Sequence, residues 1–499
     1  MWIATLSLLI ALGQPEPTTP PGLPPPPAPV AAEVEWAVVT RADLVAASTR
    51  FERIYRALTD RQARAREANR AFDVATASFL GGRMNDAIRA LRTGADALAA
   101  EGEASPAQAL ASSLRVTVEP AVYGRAMSRA PRLAIEQWYG PESPARVTLG
   151  VSLLPIDALE PLTLAVDVAY TPGTPVSMSV PLDAGAWLGK ASGAYLVSVG
   201  VGEQSDPGPL FFCVLSEPAG QTLHALKPRI DALNAGAALS PSALATLRGT
   251  WSLLGGGVNP QESASFMTPM STRADTLAAE VTLAEGKVSP FAGRAGMTWR
   301  LLDSGGRLVP YVTHVPVGRT GAMPVVVAFH GTGGDEYSFQ VVHGDGELRR
   351  QADARGFIAV SPRAEAFIGN PDLFDALLRE VARDYAIDRA RVYVLGHSTG
   401  AAAASALAAA RPDSLAAAVC LAGGDSLRGE RVAPTLVIAG QFDPIIPPAR
   451  LKVAAEQARA AGAPVEYREA PGQGHALIVG DLLGEALDWL WGRRLNARP

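Results

Sequence analysis

The feature that most constrains this chain is a regular alternation of short apolar runs and helical patterns between about residues 291 and 493. The runs at 324–329, 357–360, 392–395, 416–421, 435–439 and 465–469 are too short for helices, and most are built from Val, Ile, Leu and Ala. Strands buried on both faces read this way. Helical patterns lie between them, including 372–385 and 449–461. Such alternation specifies a mostly parallel sheet covered by helices on both faces. Two earlier strands, 297–302 and 308–315, are separated by Asp303-Ser304-Gly305-Gly306, a hairpin signal.

Sites in open sheets of this kind form at the carboxyl ends of the strands. After the run Arg391 to Leu395 comes Gly396-His397-Ser398-Thr399-Gly400, followed by an alanine-rich helical stretch, 401–410. In a chain with 48 glycines the pentapeptide means little as a bare string. Between a strand and a helix it reads as a tight turn presenting Ser398 as a nucleophile. After the first parallel strand stands His330-Gly331-Thr332-Gly333-Gly334-Asp335, a glycine-rich loop able to offer unobstructed backbone N–H groups to a developing oxyanion. A serine hydroxyl also needs a base, and the base an orienting carboxylate. Asp443 follows the strand at 435–439 and His475 the strand at 465–469. Asp425, in Gly423-Gly424-Asp425, is an alternative acid that reads equally as a turn residue. His397 reads as packing in the turn, His330 as loop support, and His314 and His343 as strand or surface residues. Asp375, Glu380 and Asp384 read as solvated helix faces.

With these residues placed, positions 291–493, about two-fifths of the chain, resemble an α/β-hydrolase domain, in which the triad order is Ser, Asp, His. The segment Tyr385 to Gly400 is similar to the one before the nucleophile in feruloyl-esterase and polyhydroxybutyrate-depolymerase-like enzymes. His330-Gly331-Thr332-Gly333-Gly334 resembles esterases of the carboxylesterase and dienelactone-hydrolase type. The resemblance implies Ser398 as nucleophile, His475 as general base and then acid, and Asp443 as its orienter. The oxyanion donors it implies are the backbone N–H groups of Thr399 and Thr332, with Gly333 as the alternative to Thr332. Thr399 departs from the Ala or Gln of many relatives, a change that a backbone donor survives. The implied activity is a serine esterase forming an acyl-enzyme, without a cofactor, on a small-molecule ester or the end of a polymer. Two other readings stand beside it. A prolyl-oligopeptidase-like peptidase shares the order but usually carries a propeller in front, and no blade repeat is seen. A hydrolase-fold scaffold without activity would not need the full Ser, Asp and His set.

The resemblance does not cover residues 1–290. Residues 1–13 are apolar and end in Ala11-Leu12-Gly13, which reads as a signal peptide and an extracytoplasmic protein, with a frayed cytoplasmic N-terminus as the alternative. The proline-rich stretch 14–32 reads as an extended linker. Residues 33–105 pattern as a helical hairpin or small bundle, with Phe51, Ile54, Tyr55 and Leu58 on one face. Phe79 to Ile88 resembles a tetratricopeptide-type turn, but a single unit reads as an ordinary α-hairpin. Residues 113–216 alternate with period two, as in a β-sandwich-like domain, and 221–287 return to a helical connector. Protein or carbohydrate contact is the functional reading of these front segments, packing or spacing the plain one. The connections within 291–493 are short, so the site should be open unless the front segments cover it. A net charge of −5 gives no basic footprint for nucleic acid. No run is long enough to span a membrane. Two cysteines and six scattered histidines give no metal-ligand spacing.

Overall fold

Thr40 starts the first helix with a capping box: its side chain accepts from the Asp43 N–H while the Asp43 carboxylate accepts from the Thr40 N–H. The computed structural model describes residues 34–100, 104–120, 122–124, 130–155, 162–182, 193–201, 204–215, 219–255, 270–427 and 431–495. The apolar stretch 1–13 and the proline-rich stretch 14–32 lie outside the described residues. Helices α1 (Arg41–Ala57), α2 (Arg61–Leu80) and α3 (Met84–Ala99) share a core of Phe51, Tyr55, Ala68, Ile88 and Leu91. A short α4 (Pro106–Ser112) leads into strands.

These are β1 (Leu114–Glu119), β2 (Val122–Gly124), β3 (Arg132–Gln137), β4 (Ala145–Pro155), β5 (Leu162–Tyr170), β6 (Ser177–Pro181), β7 (Gly193–Val201) and β8 (Gln204–Leu215). They form a three-stranded sheet, β1-β3-β6, and a five-stranded sheet, β2-β8-β7-β4-β5. Period two is plain in β4, where Val147, Leu149 and Val151 point inward and Arg146 and Thr148 outward. The inward residues of both sheets meet in one core.

Helices α5 (Ala219–Asp231), α6 (Pro241–Leu254) and α7 (Met270–Glu285) follow. Of these, α6 lies against the edge strand of the third sheet. This sheet contains β9 (Gly296–Ser304), β10 (Arg307–Val315), β11 (Met323–Phe329), β12 (Ile358–Pro362), β13 (Ile387–His397), β14 (Ala417–Leu421), β15 (Thr435–Gly440) and β16 (Val465–Ala470). An edge strand leaves every second N–H unpaired. On β9 two of these find hydroxyls one helical turn apart on α6, Leu301 N–H to Thr246 at 2.9 Å and Asp303 N–H to Ser242 at 3.0 Å.

The strand order is β16-β15-β14-β13-β11-β12-β10-β9. β10 runs antiparallel to both its neighbours, and the other pairs are parallel. Intervening helices are α8 (Glu347–Arg355), α9 (Pro371–Asp384), α10 (Thr399–Ala410), α11 (Pro448–Ala460) and α12 (Ile478–Trp491). β11 shows why both faces are covered. Val325, Val327 and Phe329 pack with residues of α9, α10 and α11, whereas Val326 and Ala328 pack with residues of α8 and α12. Among the described residues no helix is long and apolar enough to cross a membrane. Cys420 is buried and free.

Glu380 and Asp384 are not on a solvated face. They pair at 3.1 and 2.6 Å with Arg300, a β9 guanidinium that is 1% exposed and lies over the Phe291 ring. An arginine taken this far out of water requires such partners. They come from a helix some eighty residues away, beyond what local periodicity registers.

Residues from Trp36 onward form one compact unit, and α1 docks directly on α12. The Tyr55 hydroxyl donates to Asp481 at 2.8 Å, and Arg56 lies 3.7 Å from the same carboxylate. Beside them Glu52 is 1% exposed and 3.6 Å from Arg56. Burial outweighs that arginine and, helped by Asp481 and Asp345, pushes the Glu52 carboxyl up to about 8. A folded pKa above the unfolded one means the native state holds the extra proton. This stability is complete below the unfolded value of 4.5 and is lost as pH rises through about 8. Glu52→Gln should therefore lose less stability than wild type between those limits, by on the order of a few kcal/mol. Urea midpoints of the two proteins across this range measure the difference, and parallel curves would contradict it.

Candidate active site

β13 runs into a turn at Ser398, and α10 begins at the next residue. Ser398 has φ 54° and ψ −120°, a conformation that costs a non-glycine residue on the order of 1–3 kcal/mol unless its surroundings impose it. Here they do. The Ser398 N–H donates to the Leu421 carbonyl at 3.0 Å. A Cβ on Gly396 would strike the Gly400 carbonyl, and one on Gly400 the Phe329 carbonyl. The turn is thus wedged between β11 and β14, and Ser398 stands at the carboxyl end of the sheet.

The segment after β15 brings Asp443, and the segment after β16 brings His475, to the same edge. His475 Nε2 lies 3.0 Å from Ser398 Oγ, and His475 Nδ1 lies 2.8 Å from Asp443 Oδ2. Both residues are buried. Asp443 Oδ1 accepts from the Ile445 and Ile446 N–H groups, each at 2.8 Å, which fixes the carboxylate and leaves Oδ2 for the imidazole. A carboxylate at Nδ1 sets that nitrogen as the donor and leaves Nε2 free to accept the serine proton. Asp425 is elsewhere, paired with Arg450.

The glycine-rich loop lies against this turn. The Thr332 hydroxyl donates to that of Thr399 at 3.1 Å, which places the two segments side by side. His330 Nε2 accepts from the Ala364 N–H at 3.0 Å, so its Nδ1–H faces the Gly331 carbonyl at 2.9 Å and stiffens the loop. Gly333, at φ 86°, faces the Phe79 ring of α2 so closely that a Cβ would overlap it.

Helix α2, to which the sequence pattern assigns no site residue, also holds this site. Its Asn69 Oδ1 accepts from the Gly474 N–H at 2.9 Å. One turn further on, Asp73 Oδ1 accepts from the His475 N–H at 3.0 Å and the Ala476 N–H at 3.3 Å. Burial pushes the Asp73 carboxyl up to about 6, while the His475 N–H and ring restrain the rise. The loop carrying His475 is therefore held on one side by Asp443 and on the other by a helix four hundred residues earlier. The available signal was Asn69 and Asp73 at i, i+4 on the same stripe as Ala65, Ala68 and Phe72, polar groups on a face that must be buried.

Two more histidines surround the centre. His397 Nε2–H donates to the His475 carbonyl at 2.8 Å, and burial holds the ring well below the ordinary histidine range. Burial also depresses His343 to about 3. Contrary to a surface placement, His343 lines the cleft, with its ring 5.6 Å from that of His397.

The cleft beside Ser398 has a volume of about 150 Å³ and is walled by α1 and α2 as well as by the glycine loop. The site is thus covered by the front of the chain, although the connections within 291–493 carry no lid. A larger cavity of about 400 Å³ lies beside α1, α4 and β7, lined by Arg50, Arg92, Asp96 and Arg115. No serine and histidine lie within reach of each other in its lining, whereas Ser398 and His475 meet in the smaller one.

No family model and no curated relative matches the chain. Solved structures are similar over about two-fifths of it. A feruloyl esterase module from Clostridium thermocellum complexed with sinapinate is 15% identical over 42% of this chain and 92% of its own, with a TM-score of 0.36. Est1E from Butyrivibrio proteoclasticus is 13% identical over 40% of this chain and 100% of its own, with a TM-score of 0.33. A thermophilic esterase from Thermogutta terrifontis, with butyrate bound, is 14% identical over 40% and 94%, also at 0.33. The fold assignment rests on the sheet itself: eight strands, mostly parallel, with a serine turn after β13, give the part of the chain from β9 to α12 an α/β-hydrolase fold.

The Asp73 contacts make a prediction. If His475 serves Ser398 as a base in ester cleavage, Asp73→Ala should lower kcat by about 10- to 100-fold with a smaller change in KM, because displacing such a group by an ångström costs on that order. Steady-state kinetics on a p-nitrophenyl ester measure the split, and an unchanged kcat would show that the His475 loop keeps its position without α2.

Proposed function

We propose that the chain is a serine hydrolase that cleaves carboxylic esters through an acyl-enzyme on Ser398. The observation that carries this reading is the unbroken line from Ser398 Oγ through His475 to Asp443, at 3.0 and 2.8 Å. As the Ser398 oxygen bonds to the ester carbonyl carbon, its proton passes to His475 Nε2, and the resulting imidazolium is stabilised by Asp443. The negative charge gathers on the carbonyl oxygen. Backbone N–H groups of Thr399 and of Thr332 or Gly333 are its proposed donors, supported by the contact between the Thr332 and Thr399 side chains. Collapse breaks the bond to the leaving oxygen, which takes the proton from His475 and departs as the alcohol. Water then repeats the sequence on the acyl-enzyme and releases the acid, restoring Ser398.

No atom in this cycle must come from a cofactor. Ester and peptide cleavage share these steps, and an amide series tested beside the esters separates them. Ser398→Ala should reduce p-nitrophenyl ester hydrolysis by at least about 10³-fold and abolish labelling by a fluorophosphonate. Retained activity in that variant would remove Ser398 from the reaction.

A further inference from the structure

The site's reach is limited by α2. Asp73 of this helix holds the backbone of His475, while Phe79 presses on Gly333 of the glycine loop. Six residues of helix rise about 9 Å, so α2 crosses the mouth from the base to the loop. In the reaction above the departing alcohol must face His475 Nε2, which gives it a proton. The carbonyl oxygen faces the glycine loop, and the acyl group is left toward the Phe79 end.

What it meets there is apolar and small. Leu44 of α1 and Phe72, Ala75, Phe79 and Leu80 of α2 form the wall opposite Ser398, and the whole cleft holds about 150 Å³. An apolar cavity of about that volume accommodates one benzene molecule, roughly six carbon atoms. The rings cannot easily withdraw, since Phe72 packs edge-on against the buried Phe51 at 5.2 Å between centroids and Phe79 is backed onto the loop. We propose that α1 and α2 form the acyl pocket of this site and restrict it to esters of short apolar acids, of about six carbons or fewer, with Phe79 setting the limit. This rests on the esterase reading above, and it narrows that reading by excluding long fatty acyl chains.

The test is a series of p-nitrophenyl esters from acetate to decanoate with the full chain, together with n-butyl and n-octyl acetates to vary the alcohol instead. Wild type should show kcat/KM greatest at butyrate or hexanoate and at least about tenfold lower at decanoate, as a few misplaced methylenes in a filled pocket would cause. Phe79→Ala should raise the decanoate-to-acetate ratio by about tenfold, and Phe79→Trp should lower the hexanoate-to-acetate ratio by a similar factor. Ratios cancel any general loss of active protein, and the wild-type series stands even if one variant does not fold. Decanoate cleaved as well as butyrate by wild type would overturn the proposal. So would unchanged ratios in both variants, or a Phe79 effect confined to the alcohol series. In those cases acetate would still be hydrolysed and the esterase reading would stand. No hydrolysis of any ester by wild type would overturn both.

Discussion

The arrangement at Ser398 depends on how the His475 loop is held. Hydrogen bonds from three consecutive backbone N–H groups, at Gly474, His475 and Ala476, end on Asn69 and Asp73 of α2. A Cβ on Gly474 would collide with the Asp73 carboxylate, so the loop and the helix approach as closely as two backbones with one polar side chain between them can. Buried N–H groups left without acceptors would cost on the order of 1–3 kcal/mol each. The sheet supplies Asp443 to the ring, and the front of the chain supplies acceptors to the backbone beneath it.

The C-terminal sheet was legible because its signals are local. Short runs of four to six residues, most with a glycine or proline at one end, translate directly into strands. The double glycine at 305–306, with φ of 65° and 87°, gives the hairpin between β9 and β10. The pairing of Ser398 with His475 was readable for a related reason: parallel strands bring their carboxyl ends to one edge, so residues just after β13, β15 and β16 converge whatever their separation in sequence. What was not legible depends on partners that no window contains. Glu380 and Asp384 sit on α9 as charged residues do on any exposed helix, and only Arg300 on a distant strand makes them interior. Asn69 and Asp73 interrupt an alanine-rich face of α2, and they are the groups that this face offers to the His475 loop.

The same limit applies to the cover of the site. Short connections between β14, β15 and β16 excluded an inserted lid, and none is present there among the described residues. The cover arrives instead from α1 and α2, fixed by Tyr55 and Arg56 on Asp481 and by the burial of Glu52. A wall anchored through an interior acid and a tyrosine hydrogen-bonded to Asp481 is part of the core rather than a flap, so it fixes the volume beside Ser398.

Its electrostatic consequence concerns the other histidines. The proposed reaction creates a positive charge on His475, within 5.0 Å of the His397 ring centroid and in the same cleft as His343. Either neighbour, if protonated, would oppose that charge in a medium where water is scarce and Coulomb forces are strong. Burial keeps both neutral, with His343 depressed to about 3 and His397 well below its ordinary range. Neutral His397 then spends its N–H on the His475 carbonyl, bracing the loop from a third side. The enclosure that limits what can enter the cleft thus also keeps competing positive charge away from the imidazole that Asp443 holds.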